Sequence, residues 1–166
     1  MRVMKVIALV FLLCLSCLGQ TIQERVKKFE NAKEFAVEYD RFKKHTTVTY
    51  DFRATATKKQ SLMSNWLDMS VLVIIPDSGE TSVCLYVPPY GTFYNKETFR
   101  FLLDGDLLEL PNDEISRSMV VDIPLKEFAR IAKSKIVEFQ VRSFESKLEP
   151  KQLKAFQNLA TILPPR

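Results

Sequence analysis

Apolar and polar residues alternate over most of this chain, and helical spacing occurs only near its two ends. In residues 47–56, Val48, Tyr50, Phe52, Ala54 and Ala56 fall on one side, and Thr49, Asp51, Arg53 and Thr55 on the other. That two-residue period is the mark of a half-buried strand. Leu67, Met69, Val71, Val73 and Ile75 repeat it. Their opposite face begins polar at Asp68 and Ser70 and becomes apolar at Leu72 and Ile74. This predicts a strand that starts at a wet edge and runs into the core. Pro76-Asp77-Ser78-Gly79 is a turn signal, and residues 81–87 return as the antiparallel partner. Residues 99–103 and 107–110 flank Asp104-Gly105, the strongest short-range hairpin signal. Pro111-Asn112-Asp113 is expected to end that arm, and residues 118–123 form a further short strand.

The ends read differently. Ile22, Val26 and Phe29 recur at helical spacing within residues 21–33, after which Phe35, Val37 and Tyr39 alternate as a short strand. Near the C-terminus, Pro124 opens a helix through residue 133 that turns Leu125, Phe128, Ala129 and Ala132 to one side. Residues 136–141 and 144–148 are strands that pair. Pro150 opens a last helix striped by Leu153, Phe156, Leu159, Ala160 and Leu163, and Pro164-Pro165 stops it. This order predicts an α+β fold: an antiparallel β-meander sheet, with an N-terminal helix and two C-terminal helices packed on one face. The alternative is a β-sandwich with added helices.

The first residues change the picture. Arg2 and Lys5 precede Val6–Leu18, thirteen residues without charge. A bilayer needs about 20 apolar residues, whereas a signal-peptide apolar region has about 7–15. Residues 1–19 are therefore expected to be a secretory signal peptide and residues 20–166 a single domain. Cys17-Leu18-Gly19 places small residues for cleavage before Gln20. The alternative is lipidation at Cys17, since Ser16-Cys17 resembles the end of a bacterial lipobox, with Cys14 where that motif has an aliphatic residue. The compartment follows: periplasmic or secreted, or lipid-anchored in the envelope, where one acyl chain alone holds weakly.

Charge and cysteine count then narrow the chemistry. The chain carries a net +4, of which Arg2 and Lys5 supply two, and no long basic run marks a nucleic-acid surface. Beyond the signal region Cys84 stands alone, so no internal disulfide is expected. It sits in an apolar strand pattern and reads as a small buried hydrophobe. One His and one Cys make no typical zinc set, and Asp104-Gly105-Asp106 lacks the spaced acids of a calcium loop. No metal or cofactor is expected. His45, between Lys44 and Thr46, reads as a surface histidine; a thiol triad with Cys84 has no local motif behind it. No catalytic residues are assigned.

The remaining candidates are aromatic. Tyr90, Phe93 and Tyr94 crowd the break after Pro88-Pro89, a composition suited to contact with a ligand or partner, or to plugging the end of the core. A second cluster surrounds Asp40, which is placed to cap a turn, with Arg41, Lys43 and Lys44 as a small basic patch. Val37, Tyr39, Asp40, Phe42, Lys43 and Thr46, with residues 137–148, Gln152, Leu153 and Leu159, resemble patterns in small bacterial exported proteins of no assigned function. The resemblance implies an envelope or secreted protein. The expected role is an exported, non-catalytic binding or envelope-associated domain; the alternatives are a carrier of a lipid-like ligand and a hydrolase with a dispersed carboxylate site.

Overall fold

A computed structural model describes residues 22–57, 65–88, 97–112 and 118–164. Among the described residues, three helices and nine strands form an α+β fold, as the alternation predicts. The elements in chain order are α1 (Ile22–Glu30), β1 (Ala36–Asp40), β2 (His45–Thr55), β3 (Trp66–Pro76), β4 (Ser82–Val87), β5 (Glu97–Leu103), β6 (Asp106–Asn112), β7 (Met119–Asp122), α2 (Leu125–Lys133), β8 (Val137–Val141), β9 (Phe144–Lys147) and α3 (Pro150–Ala160).

Where the alternation suggested one meander, the strands divide into two antiparallel sheets. One has the order β1-β2-β3-β4-β7 and the other β6-β5-β8-β9. β7 returns past the β5–β6 hairpin to pair with β4, setting Val121 against Leu85. β5 takes β8 as its second neighbour, Phe101 facing Phe139. The sheets meet at a bridge between Ala56 and Ser146. There the Ser146 hydroxyl donates to the Thr55 carbonyl at 2.6 Å, and the Thr57 N–H donates to the Glu145 carbonyl at 2.9 Å.

One core joins both sheets and the helices. Val48, Val71, Val73 and Leu85 from the first sheet and Phe99, Phe101 and Phe139 from the second are all essentially removed from solvent. Phe156 of α3 belongs to the same core, stacked on Phe128 of α2 with ring centres 5.7 Å apart and edge-on to Phe52 of the first sheet at 5.8 Å. The buried side of α2 is rotated from the expected one: Phe128, Ile131 and Ala132 are buried, while Leu125 and Ala129 are half-exposed. α2 packs against both β4 and α3, so contact with two neighbours, not one sheet, sets its inward face. α1 is anchored to the far end of the chain. Arg25 donates to the Leu163 carbonyl at 2.9 Å, and Lys28 to the Thr161 hydroxyl, placing two cations beside the C-terminal end of α3, which favours positive charge.

Two details depart from the sequence expectation. Leu72 and Ile74 do not enter the core. They lie half-buried on the outer face of the first sheet, beside their cross-strand neighbours Thr49, Cys84, Thr47 and Ser82. Pro111 does not end its arm but sits inside β6, opposite Thr98. β6 is an edge strand, where a residue without an N–H removes no ladder bond.

Candidate functional site

The outer face of the second sheet carries the most organised polar array. The two-residue turn at Asp104-Gly105 has positive φ at both residues, 51° and 101°, the conformation for which this pair is favoured. It fixes Arg100 opposite Glu109, and β8 adds Gln140 opposite Arg100 and Glu145 opposite Gln140. A ladder of side chains therefore crosses all four strands. Arg100 Nε donates to Glu109 Oε1 at 2.8 Å, Arg100 Nη1 to Gln140 Oε1 at 3.3 Å, and Gln140 Nε2 to Glu145 Oε1 at 3.3 Å. In the next row Leu102 and Leu107 are 38% and 61% exposed. Arg100, Gln140, Glu145, Leu102 and Leu107, together with Glu138, line an open groove of about 470 Å³, within the size range of small-ligand sites.

A second cleft of about 510 Å³ lies where β1 and β2 meet the start of α3, with Lys33, Glu34, Asp51, Arg53, Glu149 and Lys151 around Tyr50. Burial raises the Tyr50 phenol above its ordinary range, and the nearby Glu34 and Glu149 carboxylates add to the rise. Among the described residues, three carboxylates, Glu34, Asp51 and Glu149, line this cleft. The carboxyls of Asp40 and Asp68 lie elsewhere and are held low. Asp40 accepts the Lys43 and Phe42 N–H groups, and Asp68 accepts two bonds from Arg53 at 2.7 and 3.2 Å. Neither has the raised value that a general acid needs.

The lone thiol and imidazole do not meet. Cys84 pairs with Leu72 and Asp122, His45 with Asp40 and Pro76. They share the outer face of the first sheet but stand two strands and four residues apart, about 17 Å by strand spacings. Burial, with a smaller contribution from Asp122, pushes the thiol up to about 11. That leaves little thiolate at neutral pH, and Cys84 is the small buried residue its strand pattern predicts. No cluster of three or more His, Cys, Asp or Glu side chains suited to a metal occurs among the described residues.

Tyr90, Phe93, Tyr94 and Cys17 lie outside the described residues. Among those described, no helix is long and apolar enough to cross a membrane. The exposed aromatics that the structure does place are elsewhere: Phe42 at the apex of the β1–β2 turn, Tyr39 at its base, and Trp66 at the start of β3 beneath the Arg53 guanidinium. The polar ladder itself was half-legible. A two-residue turn at Asp104-Gly105 already sets Arg100 across from Glu109, but nothing local announces that β8 lies on the other side of β5. Comparison with protein-family models, with curated proteins and with solved structures finds no match.

Proposed function

We propose that this chain is an exported, non-catalytic binding domain of the cell envelope or its surroundings, and that its ligand seats on the outer face of the β6-β5-β8-β9 sheet. One observation carries the reading: a hydrogen-bonded ladder spanning four strands, Glu109–Arg100–Gln140–Glu145, beside exposed Leu102 and Leu107. A rigid sheet that holds donors, acceptors and apolar surface in fixed register suits recognition, because little ordering remains to be paid on binding. The sheltered thiol and the distant histidine favour binding over nucleophilic chemistry. The uncharged run behind Arg2 and Lys5 supports export.

Mass spectrometry of the protein from its native host tests the export half. A mature terminus at Gln20, or an acylated Cys17, is expected; intact Met1 on an intracellular product would end the envelope assignment. For the binding half, a photo-crosslinking residue at Leu107 is expected to capture a ligand that the same residue at Thr49 does not, and that Arg100→Ala diminishes. Equal capture from both faces would count against this sheet.

A further inference from the structure

The β1–β2 turn has no place in that binding face, yet it is the most prominent amphipathic feature described. Residues 41–44 form a four-residue turn between Asp40 and His45. At its apex Phe42 is 84% exposed, and Tyr39 at its base is 57% exposed. Burying a Phe side chain is worth about 1.5–3 kcal/mol relative to leaving it in water. A turn that holds one fully out is therefore built against its own hydrophobicity.

The turn is also held rigid. Asp40 Oδ1 accepts the N–H groups of Phe42 and Lys43 at 2.9 and 3.0 Å. Lys44 adopts the left-handed region, φ 52°, and its carbonyl accepts the Asp77 N–H at 2.8 Å. The Tyr39 hydroxyl donates to Asp77 Oδ2 at 2.9 Å. Asp40 and Asp77 thus accept hydrogen bonds at the base, with the Lys43 charge drawing Asp40 lower still, while Arg41, Lys43 and Lys44 flank Phe42 along the turn. Arg41 lies 5.0 Å from the centre of the Phe42 ring, and none of the three cations is held in an ion pair among the described residues.

We infer that this tip docks on a lipid surface bearing anionic headgroups, with Phe42 entering the interface and the three cations meeting the headgroup phosphates. The shape decides for a membrane over a protein. A stable protein interface takes roughly 800 Å² from each partner, which a single convex aromatic apex does not offer, whereas a bilayer deforms around one inserted ring. The charge decides for anionic lipid, each cation near such a surface contributing about 1 kcal/mol. An aromatic-and-basic contact of this strength is a weak second anchor, of the kind that makes attachment stable when combined with another. The inference draws its biological setting from the exported, envelope-facing reading. The dependence of vesicle binding on Phe42, Lys43 and Lys44 reports on this turn alone, so its failure is distinct from a failure of the export assignment.

Co-sedimentation of the purified protein with phosphatidylglycerol–phosphatidylcholine vesicles, against pure phosphatidylcholine, tests it. Binding is expected to favour the anionic vesicles and to weaken as salt rises. Lys43→Glu and Lys44→Glu should each lower it at least fivefold, and Phe42→Ala should lower it several-fold. In Phe42→Trp combined with Trp66→Phe, which keeps an aromatic apex and leaves a single indole, the emission should shift to the blue on adding anionic vesicles only. Equal binding to neutral and anionic vesicles, variants that bind like the parent protein, or no shift in that double variant would each overturn the inference.

Discussion

Cys84 shows how a residue's chemistry is decided by where its strand lies. Its side chain is flanked by Leu72 and Asp122 on neighbouring strands, and its thiol is pushed up to about 11. A raised folded value means that the neutral thiol's contribution to stability is whole below the unfolded value near 9 and is lost as pH rises through about 11. We expect iodoacetamide at pH 8 to label Cys84 at least tenfold more slowly in the native protein than in urea, read at that residue by peptide mass mapping; equal rates would show the thiol to be open. Turns illustrate the limits of local reading at the same scale. Asp104-Gly105 announces itself, because few other residues accept its dihedral angles. The Arg142-Ser143 turn between β8 and β9 does not, because the residue that takes positive φ there, 54°, is an arginine. Asp104 also acts beyond its own hairpin: its carboxylate accepts the N–H groups of Lys135 and Ile136 at 2.8–3.1 Å and so fixes the exit from α2. No pattern in the sequence shows that second role.

At the scale of elements, the start of α3 explains how a helix is tied to a sheet. Gln152 is buried; its Oε1 accepts the Glu149 N–H at 2.8 Å, completing a capping box, and its Nε2 donates to the Arg53 carbonyl at 2.8 Å. The amide supplies a partner to one backbone N–H and one backbone carbonyl. We expect Gln152→Glu to keep the cap, lose the bond to Arg53 and cost about 2–3 kcal/mol at pH 7 in urea unfolding. Facing a carbonyl in a buried site, the new carboxyl would have a raised folded pKa. Its neutral form can donate, so the deficit should shrink as pH falls toward 4 and grow as pH rises through the folded value. A deficit independent of pH would contradict this account. Helix and strand positions were legible within a few residues because period reports which side of an element is apolar. The inward face of α2 was not, since Ile131 is buried by the simultaneous presence of β4 and α3.

On the scale of the whole molecule, aromatic contacts tie the first sheet to all three helices. Phe29, Phe35, Tyr50 and Phe52 run in sequence of contact from α1 to α3, where Phe156 passes the chain on to Phe128. Phe156→Ala should cost about 3–5 kcal/mol, a large share of the 5–15 kcal/mol typical of a domain. Because Phe156 touches both the first sheet and α2, far-UV circular dichroism and tyrosine fluorescence should lose structure in one shared transition at lower urea. Two separated transitions would mean that the sheets unfold independently.

The alternation of side chains by itself determined the α+β class, the order of elements, the inward faces of β2 and β3, the β5–β6 hairpin and the buried state of Cys84. These depend on neighbours a few residues away, and period and turn chemistry encode them directly. Tertiary structure alone decided that the strands form two sheets, that β7 crosses back to β4, that β8 lies beside β5 to complete the polar ladder, and that Leu72 and Ile74 stay outside. A strand's period says which side faces inward but not which strand lies beside it. That choice is made by packing one shared core between segments far apart in sequence.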